Sequence, residues 1–165
     1  AEGLLAGISL DTKNFAFKTG VRTFEAASYL KKSGADTIEV KKLFNSDIKD
    51  FITKAEIIQN AKVINNNICL AYTKTGTDNI NIVIAQAADE LLNIKEVEAS
   101  FVLARKDDRV FISARSLGNI NVHVLMENLG GGGHRDMAGA QLDTSLEKAY
   151  EMVKDTIQTC IKEEE

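Results

Sequence analysis

Proline and tryptophan are absent from this 165-residue chain, and cysteine and histidine occur only twice each. No apolar run approaches the ~18 residues of a membrane-spanning helix, and no signal peptide is visible. Positive charge is not in excess: 20 Lys and Arg stand against 24 Asp and Glu, a formal net charge of −4. That argues against a broad, non-specific nucleic-acid surface, which makes a domain basic, but it leaves room for a small local anion pocket. Cys69 lies in an apolar, strand-like run and Cys160 in a helical one, so two separate thiols are expected and not a disulfide. No His/Asp cluster is present, so the sequence alone does not compose a complete metal centre. Internal repeats and low-complexity tracts are also missing. The first residue is Ala and falls in mid-pattern, as in a piece of something longer.

What is present is the composition of a soluble domain, 44% hydrophobic and 27% charged. "LLAGISLDT" at 4–12 is a buried strand or the end of a helix; so short a run does not decide. "TFEAASYLKKSG" at 23–34 predicts a helix capped by Thr23, with Ala26, Ala27 and Leu30 on one face and Gly34 just past its end. "SDIKDFITKAEIIQNA" at 46–61 repeats the design, with Ser46 as cap and a stripe of Ile48, Phe51, Ile52, Ala55 and Ile58. A strand is expected around 68–74, a helix over 79–92, and a β-hairpin turning at Lys106–Asp108. A short helix over 121–129 ends at glycines, and a long C-terminal helix turns Leu146, Ala149, Met152, Val153, Ile157 and Ile161 inward. Interleaved strands and helices with one antiparallel pair predict an α/β fold, a mixed sheet covered by helices.

The feature most in need of a reason is "GGGGHRDMAGA" at 130–140. One glycine after Leu129 serves as a helix stop; four do not follow from that. Successive glycine N–H groups can form a concave anion nest, and a missing Cβ lets a base or phosphate lie against the main chain. Gly131, Gly132 and Gly133 are therefore candidate ligand contacts, with His134 at the rim to donate or accept a hydrogen bond. Just upstream, Arg115 beside the Ser116 hydroxyl suits a phosphate or carboxylate, whether a ligand's or that of a surface Asp or Glu. Asn121 either caps the helix that begins there or reaches a nucleobase edge. Asp11 closes the apolar run "GISLD", where metal and phosphate sites often place a carboxylate and where Asp also serves as a turn residue.

The stretches "LLAGISLDTKNFAFKTGVRTFEAASYL", "IAQAADELL" and "ASFVLARKDDRVFISARSLGNINVHVLMENLGGGGHRDMAGAQL" resemble the DHH/DHHA1 phosphoesterase superfamily. More narrowly, they are similar to the C-terminal portion of GdpP-type cyclic-di-AMP phosphodiesterases. The resemblance implies a helical remnant of a DHH domain over 1–45, a connecting helix over 46–60 and a DHHA1 substrate-binding domain over 61–165. It implies a two-manganese centre in the parent, to which this chain brings only Asp11, so that the piece alone is expected to be inactive. It assigns substrate binding to Arg115, Ser116, Asn121, Gly131, Gly132, Gly133 and His134. The implied partners are cyclic-di-AMP, its linear product 5′-pApA, the DHH domain and a second copy of the chain. The implied place is the cytoplasm, in a membrane-anchored parent, with no membrane contact by this piece. Sister families of the same fold act on short oligoribonucleotides or 3′-phosphoadenosine 5′-phosphate, and the DHHA1 modules of alanyl-tRNA synthetases bind RNA. The negative charge and the "LDT" stretch speak against the last.

Overall fold

The computed structural model describes residues 1–17, 19–65 and 67–163, the last three by backbone only. It divides into two compact units, Ala1–Ser46 and Asp47–Glu165. The first is helical: α1 (Glu2–Asp11), α2 (Val21–Lys32) and α3 (Thr37–Lys42). The run at 4–12 is thus a helix, and it buries Leu5 and Ala6 with Leu30, Ala35 and Val40 in a small core of the unit's own. The cap of α2 lies three residues earlier than the pattern suggests. Gly20 is the N-cap, and Thr23 at the third helical position accepts the Gly20 N–H at 3.4 Å. A hydroxyl one turn in can satisfy the same orphan donor from inside the helix. Of the α2 face, Ala27 and Leu30 pack inward while Ala26 is exposed. Gly34, at φ +94, ends the helix: its N–H bonds Lys31 O, and that of Ala35 bonds Leu30 O.

The second unit contains α4 (Ile48–Gln59), β1 (Lys62–Ile64), β2 (Ile68–Thr73), α5 (Ile80–Leu91), β3 (Ala99–Lys106), β4 (Arg109–Ser116), α6 (Val122–Glu127), β5 (Gly132–Gly133), β6 (Met137–Leu142) and α7 (Leu146–Glu163). Its six strands form one mixed sheet in the order β1-β2-β3-β4-β6-β5. β2 and β3 are parallel, joined through α5, and the other neighbours are antiparallel. The expected mixed sheet flanked by helices is what forms.

Successive strand residues face opposite sides of a sheet, and two cores result. One holds Phe101, Leu103, Ile112 and Ala114 against α6 and α7, whose Leu146, Ala149, Val153 and Ile157 point inward as expected. Met152 is half-buried, and the Ile161 side chain lies outside the described residues. The other core holds Cys69, Ala71, Val102 and Ala104 against α4 and α5. The stripe expected on α4 is not the one that packs. Thr53 and Ile57 are buried, whereas Ile48, Phe51, Ile52 and Ala55 are exposed. At the surface, Asn79 Nδ2 donates to Asp50 at 3.0 Å and Thr75 Oγ1 donates to Glu56 at 3.3 Å on the flank that faces α5. Its N-cap is Asp47, not Ser46. Three strands went unpredicted. β1 and β5 are too short to show a period, and β6 is rich in Ala and Gly, which carry little strand signal.

Candidate nucleotide-binding site

Phe111, Ser113 and Arg115 share one face of β4, while Val110, Ile112 and Ala114 enter the core on the other. Ser116 therefore does not stand beside the Arg115 guanidinium. It is buried, and its Oγ accepts the Gly118 N–H at 2.9 Å, closing the turn after the strand. The hydroxyl beside Arg115 belongs to Ser113, 3.1 Å from Nη1. Period-two spacing along "ISARS" is the signal that would have picked Ser113.

The same guanidinium gives Nη1 to Ala114 O at 2.9 Å and Nε to Asp89 at 3.3 Å. Arg115 thus does pair with a carboxylate of its own chain, on the last turn of α5. The position of that turn is fixed by Ser100 Oγ, which donates to Ala88 O at 2.6 Å from the strand beside β4. With its side chain only 15% exposed and held at two atoms, Arg115 is preset in one pose. Its Nη2 group takes part in none of these contacts. A cleft of about 560 Å³ opens at this point. Arg115, Ser113 and Phe111 line it from β4, Gly139 and Gln141 from β6, and Asn81 and Ile84 from α5, with Gly130 and Gly131 at the rim.

The four glycines divide by role. Gly130, at φ +77, is the left-handed residue that ends α6: its N–H bonds Glu127 O, and the Gly131 N–H bonds Met126 O at 2.8 Å. Those two donors are committed, so the nest expected of consecutive N–H groups does not include them. A Cβ on Gly131 would fall on Gly139 O and lie 2.6 Å from the Ala140 Cβ. One on Gly133 would lie 2.5 Å from Ala138 Cα and Met137 O. Both glycines are needed because β5 presses against β6. Gly132 alone meets nothing within 4 Å and has no positive φ. Of the run, it is the position whose bare backbone the fold does not explain.

His134 is exposed, and its N–H donates to Met137 O at 2.7 Å. Asn121 does occupy the N-cap position of α6, but its side chain makes no capping bond; Oδ1 is buried without a partner. Asp11 is the exposed last residue of α1, in the first unit. Three consecutive non-glycine residues follow close behind it in the left-handed region, Lys13, Asn14 and Phe15 at φ 46, 56 and 66. Such a turn costs on the order of 1–2 kcal/mol per residue. It is tied down by Asn14 N–H to Ser9 O at 2.8 Å and Phe15 N–H to Thr12 Oγ1 at 2.9 Å. Among the described residues no three His, Cys, Asp or Glu side chains converge on a point that could hold a metal ion. Neither Cys69 nor Cys160 is in a disulfide. No described helix is long and apolar enough to cross a membrane.

The chain is 47% identical over 161 residues to the cyclic-di-AMP phosphodiesterase GdpP of Bacillus subtilis (strain 168), a match that covers 95% of this chain and 24% of that protein. It is 44% identical over 151 residues to the cyclic-di-AMP phosphodiesterase PdeA of Listeria monocytogenes serotype 1/2a (strain 10403S), covering 90% of this chain and 23% of that protein. It therefore spans about a quarter of the length of these relatives. Among solved structures, an exopolyphosphatase-related protein from Bacteroides fragilis shares the fold, with a TM-score of 0.83 at 20% identity, over 92% of this chain and 47% of that one. Residues 65–163 match the DHHA1 domain, and by that match, which covers more than half of its length, the chain belongs to the DHHA1 family.

Proposed function

We propose that this chain is the nucleotide-binding portion of a phosphodiesterase that opens cyclic-di-AMP to linear 5′-pApA. The observation that carries the reading is the preset Arg115 in an open cleft of nucleotide size. The names of the curated relatives support the substrate. Arg115 Nη2 donates to a phosphate oxygen, and the bare Gly132 backbone lets the ligand approach. The resemblance adds Ser116, Asn121, Gly131, Gly133 and His134 to the binding set. His134 is exposed at the surface, whereas Ser116 acts through the turn it holds. Asp89 lowers the local positive potential, so an incoming phosphate competes with its carboxylate for the guanidinium.

On this reading two manganese ions bound by a DHH domain supply the hydrolytic chemistry, with Asp11 as one ligand and the others from outside these 165 residues. The chain works in the cytoplasm as part of a membrane-anchored parent. Incubated alone with cyclic-di-AMP and Mn²⁺, it is expected to yield no 5′-pApA; production abolished by Asp11→Ala overturns this. Self-association through residues 1–35 is supported by the exposed Leu4, Leu10, Val21, Phe24 and Tyr29. Light scattering that reports a strict monomer removes it.

The test of binding is an NMR titration with 5′-pApA. Shifts are expected within residues 113–138. Loss of one charge-assisted contact worth about 1.5–3 kcal/mol predicts that Arg115→Ala weakens binding by roughly 10- to 150-fold. Gly132→Val should weaken it by steric blockage without unfolding the protein. Shifts elsewhere, or no effect of either substitution, overturn the reading.

A further inference from the structure

Arg115 accounts for one end of the cleft. The other end is built differently. Phe111 lies there with Gln141 directly opposite it across the β4–β6 pair, and Asn81 and Ile84 come in from the first turns of α5. None of the four is charged. The half-buried ring offers apolar surface with buried Ile84 behind it, while each amide can both donate and accept. Among the described residues neither amide has a hydrogen-bond partner in the protein. Between the two ends Gly139 faces Ser113 across the ladder and leaves the floor bare.

The spacing is set by the lean of the arginine. Its guanidinium reaches back to Ser113, so it lies two residues from Phe111, about 7 Å along the strand. A cationic group and a flat, neutral, amide-lined wall one sugar's length apart match the two halves of a nucleotide. The wall also has a preference. An Asn or Gln amide pairs with the acceptor and donor on the N7/N6 edge of adenine, whereas the two acceptors of guanine on that edge call for Arg or Lys, which this end lacks.

We infer that the Phe111 end of the cleft is a base subsite, in which adenine lies against Phe111 and is read by Gln141 and Asn81, while Arg115 holds the phosphate of the same nucleotide. The inference rests on the nucleotide reading above and adds to it the residues that select the base.

The experiment compares 5′-AMP, 5′-GMP and ribose 5-phosphate, titrated into the 165-residue chain by calorimetry or NMR. Base stacking predicts that 5′-AMP binds about 5- to 150-fold more tightly than ribose 5-phosphate, with 5′-GMP weaker than 5′-AMP. Gln141→Ala and Asn81→Ala, both at exposed positions, should reduce the advantage of 5′-AMP and leave ribose 5-phosphate unchanged. Phe111→Leu, which keeps apolar bulk against the core, should do the same. Arg115→Ala should weaken all three ligands together. Equal binding of 5′-AMP and ribose 5-phosphate, or equal losses for both in the amide variants, overturns the base subsite and leaves the phosphate site standing. Absence of binding by all three ligands, or indifference to Arg115→Ala, overturns the nucleotide reading and the subsite with it.

Discussion

One face of the sheet in the second unit has two halves that share a continuous backbone ladder and the edge of α5 but differ in what covers them. Over β2 and β3 it presents Cys69, Ala71, Val102 and Ala104, and α4 and α5 cover it. Over β4 and β6 it presents Phe111, Ser113, Arg115, Gly139 and Gln141, and a cleft stands open. In the covered half the fully buried hydroxyl of Ser100 is satisfied by Ala88 O. In the open half, among the described residues, the Asn81 and Gln141 amides have protein around them but no protein partner. Burying small apolar side chains stabilises a packed helix layer, whereas burying those polar groups unpaired would cost about 1–3 kcal/mol each. The packed helix layer accordingly lies over the apolar half, and only the edge of α5 reaches the polar one. The open cleft is the part of this sheet face that the helices leave uncovered.

The comparison breaks most visibly in the covered half. Leu91→Ala removes a fully buried side chain from beneath α5, and chemical denaturation should show a loss of about 2–5 kcal/mol. A loss below about 1 kcal/mol would mean that the helix layer is loosely packed. Next come the glycines at the rim of the open half. Gly131→Ala places a methyl on β6 and should cost about 1–3 kcal/mol. Gly132→Ala meets open space and should stay within about 0.5 kcal/mol. Equal costs at the two positions would erase the distinction between packing and approach.

A smaller effect sharpens the contrast through pH. Burial raises the pKa of the Cys69 thiol. The folded chain keeps the proton to higher pH than the unfolded chain, so this contribution is intact below the unfolded thiol value of about 8.5 and is lost as pH rises from there through the raised folded value. In the native protein a thiol reagent should label half-buried Cys160 first and Cys69 only on unfolding. Rapid native labelling of both would show that the α5 layer opens readily. The smallest effect lies at the surface. Glu147 titrates below the ordinary carboxylate value, first through its own backbone N–H and then through Lys74, 3.2 Å away. Its contribution is present above the unfolded value and is lost as pH falls through the lowered one. Glu147→Gln should shift the acid unfolding midpoint barely, as an exposed pair would. A large shift would show that the pair is less solvated than its exposure indicates.

Several elements are legible in the order of residues alone. The α5 and α7 patterns, the β3–β4 hairpin and the Gly34 stop each rest on residues within one or two turns of each other, and each forms as the pattern predicts. The α4 stripe misleads because periodicity shows that a helix has an apolar face but not which flank its neighbours take. Here Thr53 and Ile57 are the buried positions, while Ile48, Phe51 and Ile52 of the stripe stay exposed. At the site, residue type alone points to Arg115 and the glycines. The Ser116 hydroxyl passes for the neighbour of Arg115 only when adjacency in sequence stands for adjacency in space, which a strand forbids.

By itself, then, the sequence determined the types of the longer elements, the α/β class and the family, because caps, periods and motif residues act over short separations along the chain, while the run at 4–12 stayed undecided and the short elements α3, β1, β5 and β6 went unread. Only the tertiary structure decided that Asp89 answers Arg115 from α5, that a Cβ on Gly131 or Gly133 would collide with β6 while one on Gly132 would not, and that half of one sheet face stays open. Each of those depends on groups brought together from different elements, and their distances are set by packing and not by spacing along the chain.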